Sequence, residues 1–96
     1  MITLIARITA KPGEFDTMRG LALDMSKAVT SNEPGNLLYV VTEGSGEGQL
    51  VLIERYKDGA ALDAHRAADH FKTSGRQLGP TLAGPPEIVF RLSDCM

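Results

Sequence analysis

Alternation of apolar and polar positions predicts four β-strands in this chain. The strands are expected at residues 2–10, 36–43, 50–56 and 87–93. In the first of them the apolar side chains fall on one face: Ile2, Leu4, Ala6 and Ile8. A glycine-rich link at residues 44–48 is too short to cross over to a parallel neighbour, so it predicts an antiparallel hairpin between the second and third strands.

Two other segments have the three- and four-residue spacing of amphipathic helices. The first begins at Glu14 and ends before Pro34, because a residue preceding proline avoids helical geometry. The second follows Asp58, a residue type that caps helix N-termini, and its apolar stripe contains Ala61, Leu62, Ala64, His65, Ala68 and Phe71. Residues 74–86 are interrupted by glycine and proline, which predicts a connector with one short helix at residues 76–78.

The predicted order of strand, helix, strand, strand, helix, strand is that of the ferredoxin-like α+β fold. In this fold the helices cover one face of an antiparallel sheet. The 96 residues are expected to form one domain, 1–96, because a chain of this length supports a single modest core. The uncovered face also carries apolar residues, which is typical of an interface, so we expect a homodimer that pairs through its sheets.

Composition and charge exclude two classes of partner. The formal net charge is −2 and the ten Lys and Arg residues are dispersed, so no nucleic acid partner is expected. No apolar stretch reaches the roughly 18 residues that span a bilayer, so we expect no membrane partner and a cytoplasmic location. The single cysteine, Cys95, forms no intramolecular disulfide, which agrees with a reducing compartment and leaves its role open.

The two histidines, His65 and His70, both lie on the second predicted helix. Five residues apart, they point about 140° apart around the helix axis, whereas helical metal ligands are normally three or four residues apart. No metal site is therefore expected, although Glu54 and Asp69 could complete one. His65 lies on the apolar stripe and should face the sheet, whereas His70 should lie at the helix edge or in solvent.

Glu54 is the one acidic residue in the apolar third strand, where it shares a face with Leu52 and Tyr56. If this face is covered by the helices, the carboxylate enters the same interior as His65, where a buried charge needs a partner. A Glu–His pair orients an imidazole and prepares it as a general base. The alternatives are a purely structural pair, or an exposed position for Glu54 at the sheet edge.

Three segments together resemble the antibiotic biosynthesis monooxygenase (ABM) family. They read EPGNLLY at residues 33–39, LIERYKD at residues 52–58 and ALDAHRAADHF at residues 61–71. The resemblance implies ferredoxin-like protomers that pair into a dimeric α+β barrel, each with its own pocket between sheet and helices. It also implies pocket roles for several residues, with Glu54, His65 and His70 as catalytic candidates and Tyr39, Tyr56 and Phe71 as lining.

Proteins related to this family include quinol monooxygenases and anthrone oxygenases, which use neither flavin nor metal, and an isomerase of a phosphorylated sugar. Other relatives degrade haem, and those carry a tryptophan on the second helix and a haem-binding histidine later along it. This chain has no tryptophan and no histidine after His70, so haem is not expected. Glycine-rich nucleotide or flavin motifs are also missing, and no cofactor is expected.

The resemblance and the residues favour cofactor-independent oxidation of a small hydroxylated aromatic, such as a quinol or anthrone, by dioxygen. In this hypothesis His65 is the base, Glu54 orients it, and Tyr39 or Tyr56 donates a hydrogen bond to the developing oxyanion.

Two alternatives use the same pocket differently. One is an isomerase in which His65 moves a proton beside a carbonyl and Arg55 or Arg76 holds a phosphate. The other is a dimer that binds a small molecule without transforming it.

Overall fold

The computed structural model describes residues 1–94, so Cys95 lies outside the described residues. Four strands form one antiparallel sheet in the order β2-β3-β1-β4. Their bounds are β1 (Ile2–Thr9), β2 (Asn36–Glu43), β3 (Gln49–Tyr56) and β4 (Glu87–Ser93). The predicted hairpin between β2 and β3 is confirmed, because the two strands pair antiparallel along their length. The ferredoxin-like α+β fold is therefore confirmed.

The alternation predicted for β1 and β3 decides which side chains enter the core. Every second residue of β1 from Ile2 to Ile8 is buried, and so is every second residue of β3 from Leu50 to Tyr56. Glu54 belongs to this series and is 5% exposed. The face predicted for Glu54 is therefore the one that the helices cover.

The first helix, α1 (Phe15–Asn32), packs the predicted stripe against the sheet, with Met18, Ala22, Met25 and Val29 buried. It ends one residue before Glu33, because Pro34 disfavours helical geometry at the residue that precedes it. The second helix begins as predicted, since the Asp58 carboxylate accepts a hydrogen bond from the backbone N–H of Ala61 at 2.8 Å.

One prediction for the second helical region is wrong. The region consists of two helices, α2 (Gly59–Ala67) and α3 (Asp69–Leu78), which are separated by Ala68 in an extended conformation with φ −68° and ψ 143°. Residues 74–78, expected to belong to the connector, are therefore the last part of α3, and a 3₁₀ turn follows at Gly79–Thr81. The sequence gives no warning of the break, because Ala68 is a good helix former without the properties of proline or glycine.

The second face of the sheet carries large apolar side chains that none of the helices in residues 1–94 covers. Val40 is 36% exposed on β2, and Phe90 and Leu92 on β4 are 53% and 51% exposed. The strand register places Val40 beside Ile53 and Phe90 beside Ile5, so these side chains form one continuous apolar surface. None of the described helices is long and apolar enough to cross a membrane.

Candidate active site

A cavity of about 350 Å³ lies between the inner face of the sheet and the helices. Its wall is mostly apolar, with side chains from all four strands and from α1, α2 and α3. The residues with polar side chains in this wall are Tyr39, Glu54, His65 and Arg66. A largely apolar cavity with a few convergent polar groups is the usual form of a small-molecule site.

His65 is buried in the cavity wall and is 3% exposed. Its Nδ1 lies 2.9 Å and 3.1 Å from the two carboxylate oxygens of Glu33. Its Nε2 points the other way and lies 3.7 Å from Oε1 of Glu54. Because a carboxylate only accepts hydrogen bonds, Nδ1 carries the hydrogen in the neutral imidazole, and Nε2 keeps a free lone pair.

This geometry corrects the sequence-based assignment of the group that orients His65. Glu54 was expected to hold the imidazole, but its 3.7 Å distance from Nε2 is too long for a hydrogen bond. Oε1 of Glu54 instead accepts a hydrogen bond from the Tyr56 hydroxyl at 2.6 Å. Glu33 is the residue that orients His65.

Glu33 reaches His65 because of the Glu-Pro-Gly segment that follows α1. The segment packs closely on α2, since a side-chain Cβ at Gly35 would lie 2.5 Å from Cβ of Ala61. Glycine is therefore required at this close approach. Sequence reasoning missed Glu33 as a site residue, although the residue opens one of the three segments that carry the family resemblance.

His70 also contacts Glu33, through its Nε2 atom. The expected 140° separation of the two histidines is wrong, because the break at Ala68 turns α3 relative to α2. Glu33, His65 and His70 consequently hold three potential ligand atoms within 4.8 Å of one another, a donor set that a metal ion could use. In the described structure the three side chains are joined by the hydrogen bonds that Glu33 accepts from both histidines.

The three predicted lining residues surround the His65 ring at centroid distances of 6.3 Å for Tyr39, 5.2 Å for Tyr56 and 4.8 Å for Phe71. Tyr39 and Phe71 line the cavity, whereas Tyr56 lies behind Glu54 and outside the lining. Burial, and then the nearby Glu54, raise the pKa of both tyrosines well above the ordinary range, so both hydroxyls stay protonated. Tyr39 is therefore the hydroxyl donor available to a ligand.

The arginines expected to hold a phosphate lie elsewhere. Arg55 pairs with Asp94 at 3.2 Å, and Arg76 donates a hydrogen bond to Thr73 at 3.3 Å. Neither lines the cavity. The arginine in the cavity wall is Arg66, an exposed residue of α2 that sequence reasoning did not single out.

The buried Glu54 makes the stability of the fold depend on pH. Burial raises the pKa of its carboxyl above the ordinary value of 4.5, while the hydrogen bond from Tyr56 and the nearby His65 oppose that rise. A carboxyl with a raised pKa stabilises the folded state below its unfolded pKa, and this contribution is lost as the pH rises through the folded pKa.

We therefore expect Glu54→Gln to raise the melting temperature above the folded pKa and to leave it unchanged below pH 4.5. The gain should be several degrees, since about 1 kcal/mol corresponds to about 4–8 °C in a domain of this size. Differential scanning calorimetry across the acidic to mildly alkaline range measures it. A difference between the two proteins that does not vary with pH would contradict the burial argument.

Known proteins resemble this chain in both sequence and structure. The model of the family "Antibiotic biosynthesis monooxygenase" matches residues 1–76. The protein named "Putative monooxygenase Rv0793" from Mycobacterium tuberculosis is 36% identical over 88 residues, which are 92% of this chain and 86% of that protein. Its solved structure superposes with a TM-score of 0.88 at 32% identity, covering 99% of this chain and 95% of that one.

A second solved structure is similar to this chain in fold and sequence. It is a protein of Caulobacter crescentus CB15 assigned to the antibiotic biosynthesis monooxygenases, with a TM-score of 0.92 at 33% identity. The match covers 99% of this chain and 90% of that chain.

Proposed function

Because this chain belongs to the antibiotic biosynthesis monooxygenase family, we propose that it oxidises a small hydroxylated aromatic, such as a quinol or an anthrone, with dioxygen and without a bound cofactor. The observation that supports this proposal most directly is the position of His65. The imidazole is held by Glu33 on one nitrogen and presents the other nitrogen to an apolar cavity.

The proposed reaction balances without an external reductant. An anthrone methylene becomes a carbonyl, which removes four electrons from carbon, and dioxygen accepts those four electrons. One oxygen atom enters the product and the other leaves as water. A quinol balances in the same way when it becomes a hydroxyquinone and water. The substrate therefore supplies the electrons, and the protein has to supply a base and stabilise charge.

In this proposal Nε2 of His65 removes the substrate proton. Glu33 keeps the reactive tautomer and stabilises the imidazolium that forms, as a carboxylate does beside a catalytic histidine. The Tyr39 hydroxyl donates a hydrogen bond to the substrate oxyanion, and Phe71 packs on the ring. Glu54 lies 3.7 Å from Nε2, so the substrate hydroxyl would approach both groups from the cavity side rather than between them. His70 supports Glu33 from the outer side.

Oxygen consumption tests the proposal. Metal-free protein is given a panel of quinols and anthrones in a sealed chamber with an oxygen electrode, and uptake is compared with the spontaneous rate of each compound. Uptake above that rate supports an oxygenase. If a folded protein gives no uptake with any compound, the proposal fails, and product analysis under argon then tests proton transfer beside a carbonyl, the isomerase alternative.

The functional molecule in this proposal is a homodimer that pairs through the open sheet face. Contiguous apolar surface of this kind is typical of an interface, and the same surface left in water would favour association. Val40, Phe90 and Leu92 supply the exposed apolar side chains.

We expect Phe90→Asp to convert this dimer into monomers, because the new carboxylate would be buried without a partner in the interface. Size-exclusion chromatography with light scattering measures the mass. The matched control is Lys27→Asp on the exposed side of α1, which should leave the dimer intact. A wild-type protein with the mass of one chain would contradict the expected dimer.

A further inference from the structure

We propose that the cavity selects an aromatic molecule with an anionic substituent, and that Arg66 at the cavity mouth is the counter-ion for that substituent. The inference rests on the proposed function for its choice of an aromatic substrate. It extends that function by adding a charge to the substrate and a residue that recognises it.

Arg66 is the one lysine or arginine among the residues that line the cavity. Its side chain is exposed although it contributes to the wall, so it lies where the cavity opens to solvent. Phe71, which also lines the cavity, is 36% exposed. The deeper wall is formed by buried apolar residues of the sheet and α1, such as Leu4, Ala22 and Leu52.

The charge of Arg66 acts on the buried Glu54 from a distance, where it opposes the rise in the pKa of that carboxyl, but the guanidinium has no direct partner among residues 1–94. It forms neither a salt bridge nor a side-chain hydrogen bond there, although Asp63 and Asp69 each lie three residues away along the chain. Two other arginines do form ion pairs, Arg7 with Glu87 and Arg55 with Asp94, and both lie outside the cavity lining. The planar donor array of an arginine suits a carboxylate or phosphate group.

The rest of the cavity restricts where a ligand can carry its charge. An anion placed deep in the apolar wall would be desolvated without a cationic partner and would face Glu54, which costs free energy. A sugar phosphate would bury many hydroxyls against the same apolar wall. The arrangement therefore fits a ligand whose aromatic body lies inside and whose anionic group lies at Arg66.

Paired probes test this selection independently of oxygen chemistry. 2-Naphthoate and its neutral isostere 2-naphthamide are titrated into the protein by isothermal calorimetry, in low and high salt. We expect naphthoate to bind about two- to fivefold more tightly than the amide, as an ion pair with an exposed arginine allows. High salt should reduce this preference.

Variants of Arg66 test whether this residue causes the preference for naphthoate over naphthamide. Arg66→Gln should abolish the preference for naphthoate, and Arg66→Lys should retain part of it because the charge is kept. Arg76→Gln, on an exposed part of α3 outside the cavity lining, is the matched control and should change nothing.

Equal affinity for the two probes, a preference that survives Arg66→Gln, or binding of neither probe would overturn the inference. Selective binding of naphthoate without oxygen uptake by any quinol would uphold it and contradict the oxygenase instead. Tighter binding of a hexose phosphate than of naphthoate would also overturn it and would favour the isomerase.

Discussion

Replacing His65 with alanine is expected to lower kcat for a responsive quinol or anthrone by about 10²–10⁴-fold, the usual contribution of a positioned general base. The variant loses the nitrogen that faces the cavity, while Glu33, Glu54 and Tyr39 remain. Initial rates of oxygen uptake above the spontaneous rate measure the effect. Because the change is confined to the base, added imidazole should restore part of the activity by entering the space that the side chain leaves.

A folding defect has to be separated from this chemical effect. His65 is 3% exposed, so the variant is checked by its melting temperature and by its binding of a neutral aromatic probe. The matched control is Lys72→Ala on an exposed position of α3, which should leave kcat unchanged. Full turnover by a folded His65→Ala protein would remove this histidine from the mechanism.

Replacing Glu33 with glutamine is expected to lower kcat by roughly 10²-fold with little change in KM, because the residue acts on the substrate only through His65. The amide has the shape of the carboxylate, but its N–H₂ group can donate to Nδ1. The imidazole would then carry its hydrogen on Nε2 and lose the lone pair that faces the cavity. Glu33→Asp keeps the charge and should recover part of the rate.

Comparing Glu33→Gln with Glu54→Gln decides which of the two carboxylates orients His65. If Glu33 orients His65, the Glu33 variant loses more of kcat than the Glu54 variant does. The opposite order would restore the assignment made from the strand pattern, in which Glu54 holds the imidazole. Melting temperatures of both variants, recorded under the assay conditions, show whether either loss follows from unfolding.

The strands, their faces and the hairpin were predictable because each depends on local alternation. Glu54 illustrates this, since a period of two fixes its face once Leu52 and Tyr56 are assigned to the core. The helical break at Ala68 was not predictable in this way. Alanine carries no local signal for extended geometry, and the break reflects the contacts of α3 with α1 rather than the sequence at that position.

The histidine partner was missed for a related reason. Glu33 and His65 are 32 residues apart, and no periodicity within either segment relates them. The end of α1 at Asn32, before Pro34, and the close approach at Gly35 together place the carboxylate, and the close approach depends on tertiary packing. Sequence reasoning thus placed His65 in the interior correctly, but it chose the acidic residue on the nearest predicted strand.

The direct test of the central proposal is an isotope experiment with metal-free protein, a responsive quinol or anthrone, and ¹⁸O₂. Mass spectrometry of the product follows the label, and short reaction times limit exchange of the new carbonyl oxygen with water. The proposed monooxygenation predicts one ¹⁸O atom in each product molecule, formed faster than in the uncatalysed reaction and lost in His65→Ala. Product without ¹⁸O, or labelled product formed at the same rate by His65→Ala, would contradict it.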